Sequence, residues 1–310
     1  MPILIKRLSA VSCFIFMLFG CDEKNGSYFE DGTRDINGTQ LYYKILGNGE
    51  PIVVLHGGPG LNHTYFLPQM AQLAQDYRLI FFDQRLSGLS SGDVDSTAIS
   101  MQHFVEDVEG IRKTFQLGKM NLMAHSWGGV LAMWYAIEYP ENLRSVILVN
   151  TNAASSELAL QAQRILGKRF TREDSLKRAQ IMQSQAFKNQ EPQAFAELFR
   201  VNFRTVFYNR ALADSLTLKL QPNFAANSSK LQYLLKDLAN YDLQAELAKI
   251  TCPTLLVHGD HDATPLDAIK KIHKHIHDSR LLVLKNCGHF PFIEIPEMFF
   301  NHVKTFIDET

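Results

Sequence analysis

The chain of 310 residues is long enough for one large core, or for one core carrying an inserted second unit. It is 46% hydrophobic and 20% charged, as a folded enzyme would be, and its formal net charge of −1 gives no electrostatic case for nucleic acid or for an anionic membrane surface. No repeat and no low-complexity tract is visible, which excludes solenoids and long disordered arms.

The first residues read as an address rather than as fold. Lys6 and Arg7 precede the uncharged apolar run Leu8–Gly20, a secretory-signal layout too short for a membrane span. The run ends in Leu18-Phe19-Gly20-Cys21, which resembles a bacterial lipobox. That resemblance implies a signal over 1–20, cleavage before Cys21 and acylation of Cys21. The expectation is an exported lipoprotein of the bacterial cell envelope, held at a membrane by its lipid anchor. Loss of Lys6 and Arg7 leaves 29 basic residues against 32 acidic ones, a net −3. Cys252 and Cys287 precede and follow two different strand candidates. At about 3.3 Å per residue, parallel neighbouring strands hold them more than about 10 Å apart. A disulfide needs Cα atoms within about 7 Å, so both read as free thiols.

A polar tether is expected over 21–30. Thr33–Ile36 and Gln40–Leu46 flank Asn37-Gly38, a hairpin signal. Ile52–Leu55 is a short buried strand ending in His56-Gly57-Gly58-Pro59-Gly60, and Leu79–Phe82 is another, ending in Asp83-Gln84-Arg85. Ile99–Phe115 carries Phe104, Val108, Ile111 and Phe115 at helical spacing. Asn121–Met123 is a strand, followed by a Gly-rich turn and a helix that Pro140 stops, and Val146–Asn150 is the next strand. Residues 152–247 contain no strong strand run and read as an inserted helical cap. Strands return at Thr254–His258 and Leu281–Leu284, and a helix closes the chain from Pro296 to Asp308. Short apolar strands alternating with helices predict an α/β fold with a mostly parallel sheet. Its core is split between 31–151 and 248–310.

The chemistry centres on Ala124-His125-Ser126-Trp127-Gly128-Gly129, between a strand and a helix. Small residues around a Ser on a sharp strand-to-helix turn expose its hydroxyl at the top of a sheet. A serine hydroxyl needs a base, and His289 stands in the turn after the last strand. The base needs an orienting acid, and Gly259-Asp260-His261-Asp262 follows the preceding strand; Asp262 is preferred and Asp260 is its rival. The oxyanion donors are the backbone N–H groups of Trp127 and Gly58, with Gly57 as the fallback.

HGGPG at 56–60, DQR at 83–85, HSWGG at 125–129, G-x-x-D at 259–262 and GH at 288–289 together resemble the prolyl aminopeptidase (proline iminopeptidase) family of α/β-hydrolases. The resemblance covers about 40–151 and 250–300, not the cap. It implies an α/β-hydrolase fold, a Ser126–Asp262–His289 triad, an acyl-enzyme route and no metal or organic cofactor. The implied substrate is a short peptide losing its N-terminal residue, with proline as the candidate. The alternative is a carboxylesterase or related hydrolase using the same triad on a small ester. A catalytically silent binding protein is the reading from another class, and the complete Ser–Asp–His set stands against it. The chain departs from the family at Leu86-Ser87-Gly88-Leu89-Ser90, where GSGRS is usual, and in its cap. Family members bind the substrate amino group with cap glutamates. Here Arg200 and Arg204 stand where acidic residues are sought, and Glu157, Glu191 and Glu197 are candidates whose plainer reading is a solvated helix face. Phe195, Phe199 and Phe203 read first as cap packing and second as the lining of an apolar pocket. His273, His275 and His277 read as a solvated helix end rather than a metal site.

Overall fold

The structure is a computed structural model and describes residues 29–92 and 94–310. The expected signal, lipobox and anchor at Cys21 lie outside these residues. An eight-stranded sheet organises the chain, with strands β1 (Phe29–Ile36), β2 (Thr39–Leu46), β3 (Glu50–Leu55), β4 (Tyr77–Phe82), β5 (Met120–His125), β6 (Leu143–Val149), β7 (Thr254–Gly259) and β8 (Ser279–Leu284). Their spatial order is β1-β2-β4-β3-β5-β6-β7-β8. Only the β1–β2 and β2–β4 pairings are antiparallel. Asn37 and Gly38 turn the β1–β2 hairpin with φ of 49° and 72°, the two left-handed residues that a tight hairpin twist requires. The strand begins earlier than the sequence pattern suggests. Phe29 and Glu30, placed in the 21–30 tether, pair with Leu46 and Ile45. Their alternation of exposed and half-buried positions carries too little apolar signal to announce a strand.

Helices α1 (Met101–Thr114) and α2 (Trp127–Glu138) precede β6. Helices α3 (Ser156–Arg169), α4 (Arg172–Gln183), α5 (Gln185–Lys188), α6 (Pro192–Phe203), α7 (Phe224–Leu231) and α8 (Leu235–Leu238) fill the stretch between β6 and β7. Then come α9 (Leu266–His275), α10 (Pro291–Glu294) and α11 (Pro296–Asp308). The central strands are covered on both faces. Val53, Leu55 and Leu122 belong to one buried cluster, while Ile52, Val54 and Met123 belong to the other. Successive side chains of a pleated strand point to opposite faces, so strands buried on both sides are apolar at every position. That is why the short unbroken runs at 52–55 and 79–82 mark central strands.

Strand register fixes the site. Leu55 lies beside Ala124, His125 beside Val149, Val149 beside Val257, and Gly259 beside Leu284. The C-terminal ends of β3, β5, β6, β7 and β8 therefore share one edge of the sheet, where open α/β sheets gather their binding loops. Among the described residues no helix is long and apolar enough to cross a membrane. Cys252 and Cys287 are free and buried.

Candidate active site

Ser126 stands between β5 and α2 with φ 58° and ψ −122°. This is a left-handed φ on a residue with a side chain, a strained conformation that the surroundings must impose. They do so by contact. A Cβ on Gly128 would lie 2.6 Å from the Leu55 carbonyl oxygen and 2.8 Å from that of His56. A Cβ on Gly129 would lie 2.1 Å from Thr151 Oγ1. The helix can start this close to β3 and to the β6 loop only because both residues are glycine. The Ser126 N–H donates to the Val149 carbonyl at 3.1 Å, and the Ser126 carbonyl accepts from Gly129 at 2.9 Å and Asn152 at 3.2 Å. Trp127 opens α2, whose first amides have no intrahelical acceptor.

His289 follows β8. Its Nδ1 lies 2.6 Å from Asp262 Oδ2. Asp262 also accepts from Asn150 Nδ2 at 2.5 Å and, through Oδ1, from the Thr264 N–H at 2.8 Å. Burial alone would raise the Asp262 pKa, but the facing His289 charge and these hydrogen bonds hold it well below the usual carboxylate range. The rival Asp260 faces elsewhere, with Oδ2 3.7 Å from Lys285 Nζ. The His289 backbone is fixed from two sides: its N–H donates to the Val206 carbonyl at 2.9 Å, and Gly288 N–H donates to Glu294 Oε1 at 2.9 Å.

The loop 56–60 approaches Ser126 from β3. Gly57 N–H donates to Tyr65 Oη at 2.6 Å, so it is already spent. Gly58 has φ 130°, and its N–H has no acceptor among the described residues. Tyr65 Oη also lies 2.8 Å from His125 Nδ1, and His125 Nε2 lies 2.8 Å from the His289 carbonyl oxygen. A carbonyl oxygen can only accept, so His125 carries its proton on Nε2, and Nδ1 accepts from the tyrosine. Burial first, and the neighbouring His289 second, depress the His125 pKa to about 3, so the ring is neutral. The DQR segment supports the same loop. Gln84 N–H donates to His56 Nε2 at 3.0 Å, Gln84 Nε2 donates to the His56 carbonyl at 2.8 Å, and Trp127 Nε1 donates to Gln84 Oε1 at 2.9 Å. Arg85 turns inward instead and grips Asp107 through Nε at 2.7 Å and Nη2 at 2.6 Å.

Two cavities meet at Ser126 and His289. One of about 120 Å³ is walled by Gly57, Gly58, Tyr65, Phe199, Phe203 and Phe290. The other, about 380 Å³, extends under the cap past Asn152, Phe170, Arg178, Asn202 and Thr205. Phe199 and Phe203 thus line the site, against the first reading of cap packing. Phe195 does pack within the cap, on Phe187 and Phe224 at ring-centroid distances of 4.8 and 5.3 Å. Glu157, Glu191 and Glu197 are exposed, and none borders either cavity. Arg204 is paired with Asp214 at 3.1 Å. Among the described residues no group of His, Cys, Asp and Glu is arranged to hold a metal ion. His273 Nδ1 instead contacts Ser279 Oγ at 2.8 Å, and His275 Nδ1 the Lys271 carbonyl oxygen at 2.7 Å. Sequence reasoning missed Tyr65 and Asn150. Neither stands in a motif, although Tyr65 lies only five residues beyond the HGGPG loop.

This fold, with its loops gathered over β3, β5, β7 and β8, belongs to a known class. Residues 50–296 match the alpha/beta hydrolase fold family, and the chain belongs to that family. It resembles the proline iminopeptidases within it. It is 29% identical over 300 residues to a proline iminopeptidase of Saccharolobus solfataricus, covering 90% of this chain and 93% of that one. It is 27% identical over 291 residues to one of Heyndrickxia coagulans, covering 90% and 99%. Its fold is shared by an alpha/beta fold family hydrolase from Bacillus anthracis, at TM-score 0.71 and 22% identity over 90% of this chain and 99% of that one. The crystal structure of a proline iminopeptidase of Mycobacterium smegmatis matches at TM-score 0.67 and 21% identity over 90% and 98%. The chain is therefore an enzyme of the hydrolase class.

Proposed function

We propose that this hydrolase cleaves the N-terminal residue, with proline as the candidate, from short peptides through an acyl-enzyme on Ser126. The observation that carries the reading is the His289 Nδ1–Asp262 Oδ2 contact of 2.6 Å, set beside Ser126 across a shared cavity. With Nδ1 bonded to Asp262, Nε2 is the nitrogen free to take the Ser126 proton. Oγ then attacks the scissile carbonyl carbon, and the amide N–H groups of Gly58 and Trp127 receive the negative oxygen. The C–N bond breaks, His289 returns the proton to the departing amine, and water hydrolyses the ester by the same route in reverse. The small aromatic cavity suits one apolar first residue, and the likeness to proline iminopeptidases supplies the peptide. Ser126→Ala is expected to lower kcat by about four to six orders of magnitude with the fold retained by circular dichroism. Wild-type rates in that variant would overturn the assignment.

One observation favours a second reading, an esterase acting on a neutral acyl group. Asp262 is the one acidic side chain that borders either cavity among the described residues, and it is already bonded. A substrate ammonium buried there without a counter-charge costs several kcal/mol. The deciding pair is a prolyl arylamide and its N-acetylated twin. The peptidase reading expects the free amine to be cleaved at least ~100-fold better. Equal rates, or hydrolysis of simple esters alone, establish the second reading. We further propose export and lipid anchoring through Cys21, supported by the Lys6–Cys21 pattern. Cys21→Ser should then shift the protein from the detergent phase to the aqueous phase, or leave its signal uncleaved by intact mass. An unacylated N-terminus elsewhere would refute it.

A further inference from the structure

The larger cavity holds an arginine that nothing in the proposed acyl transfer uses. Arg178 on α4 is half-buried and borders the same space of about 380 Å³ as Ser126 and His289. Its guanidinium carbon sits 4.4 Å from the centroid of the Phe170 ring. A cation–π contact of this kind needs no hydrogen bond from the guanidinium N–H groups. No carboxylate or carbonyl accepts from those N–H groups among the described residues. Three other arginines of the cap are satisfied: Arg169 donates to the His261 and Asp262 carbonyls at 2.7 and 3.1 Å, Arg204 pairs with Asp214, and Arg210 pairs with Asp174 at 2.5 Å. Arg200 has a buried Nε without a partner, but it does not border the cavity.

Asp262 is the one carboxylate of the remaining wall. Asn152, Asn202, Thr205 and Thr264 are polar without charge, and Asp262 is held by His289, Asn150 and Thr264. The cavity wall thus presents one arginine, held against an aromatic ring, with its N–H groups unspent. A planar fork of this kind matches a carboxylate bidentately.

We infer that Arg178 binds the free C-terminal carboxylate of the substrate, so that the preferred substrates are dipeptides. The inference rests on the N-terminal peptidase reading. If the first residue fills the small aromatic cavity, the departing residue enters the larger one. One residue spans at most ~3.6 Å of chain, so a dipeptide ends inside that cavity, the space that Arg178 borders. A longer peptide places a neutral amide there and must run on towards the mouth.

The test compares Pro-Ala, Pro-Ala amide and prolyl p-nitroanilide at pH 7.5, with wild type, Arg178→Gln and Arg178→Lys. Wild type should prefer the free acid over the amide about 10-fold or more in kcat/KM, mainly through KM. Arg178→Gln should bring that ratio within about 2-fold of unity, and Arg178→Lys should keep an intermediate preference because the charge remains. Melting curves check that both variants are folded, and the wild-type ratio is decisive even if one is not. Equal use of acid and amide by wild type, or an unchanged preference in Arg178→Gln, overturns the carboxylate site. Turnover of prolyl p-nitroanilide without turnover of either dipeptide also overturns it and leaves the peptidase reading standing. Failure on all three substrates overturns the peptidase reading and this inference with it.

Discussion

Tyr65 has one hydroxyl proton and His125 has one acceptor nitrogen, so the hydrogen bonds beneath Ser126 run in one direction. Gly57 N–H donates to Tyr65, Tyr65 to His125 Nδ1, and His125 Nε2–H to the His289 carbonyl. Two segments that the proposed acyl transfer would hold in register, the 56–60 loop and the His289 turn, are thereby tied through groups buried from water. Tyr65→Phe keeps the ring packing against Phe66 and Phe292 but leaves Gly57 N–H and His125 Nδ1 unpaired. A buried donor without a partner costs about 1–3 kcal/mol, and the loop is freed to swing its Gly58 N–H out of line. The expected result is a fall in kcat of about 10- to 100-fold, with KM within about 3-fold of wild type. An unchanged kcat would remove Tyr65 from the positioning of the loop. A second residue-scale expectation concerns Asp262. Asp262→Asn should lower kcat by about 10⁴-fold, because the amide no longer fixes the imidazole tautomer, while Asp260→Asn should lower it less than about 10-fold. A reversal of that order in steady-state rates would assign the acid to Asp260.

The strand-to-helix turn at 124–129 depends on how closely α2 can approach β3. Gly128→Ala places a methyl 2.6 Å from the Leu55 carbonyl oxygen, and backbone on both sides cannot yield cheaply. Overpacking of this kind costs about 1–3 kcal/mol or more. The displaced α2 should also lower kcat, since Ser126 and the Trp127 amide move with it. Gly167 supplies the contrast. It lies in α3, and a Cβ there meets nothing within 4 Å. Gly167→Ala should stabilise by about 0.5–1 kcal/mol. Urea unfolding of the two variants checks both signs. These elements also show what was legible in the sequence. The crowded turn could be read because small residues must flank a serine there, and the central strands because burial on both faces leaves continuous apolar runs. The cap could be read only as helical. Its lining depends on how α4 and α6 pack over the sheet edge, and helical spacing does not state which face meets the cavity. Phe199 and Phe203 therefore turn out to face the site while Phe195, four residues before Phe199, packs inside the cap. Asn150 and Tyr65 were invisible for a related reason: each acts through a partner more than fifty residues away in the chain.

At the scale of the whole molecule, three of the buried histidines among the described residues have their pKa lowered by burial, and stability should record them. His56 donates through Nδ1 to the Gly57 carbonyl at 2.8 Å and accepts the Gln84 N–H on Nε2. His125 is fixed as described above, and His258 Nε2 donates to the Thr264 carbonyl at 3.0 Å. Burial is the largest cause lowering the pKa of each, to about 3 for His125. In the unfolded chain these rings take up protons below about pH 6.5. In the folded chain His125 does not until about pH 3. The unfolded state therefore binds more protons across that window, and stability falls as pH falls through it. The stabilising carboxylates act lower. Burial would raise Glu109, but its bonds to Arg112 and then Tyr135 bring it down to about 2, so its contribution is present above about pH 4.5 and is lost below. Between pH 7 and 5 the histidines thus dominate the slope. His125 should cost about 1.4 kcal/mol per pH unit once the pH is well below 6.5, and the lowered pKa of His56 and of His258 acts in the same direction. His258→Gln tests this, because the glutamine amide can still donate to the Thr264 carbonyl but cannot titrate. Its stability at pH 7 should drop, while its loss between pH 6 and 5 should be smaller than that of wild type, because the lowered His258 pKa no longer contributes to the slope. Urea denaturation at pH 7, 6 and 5 measures both slopes. A wild-type stability that is flat from pH 7 to 5, or a variant slope equal to that of wild type, would show that the buried rings do not govern acid stability.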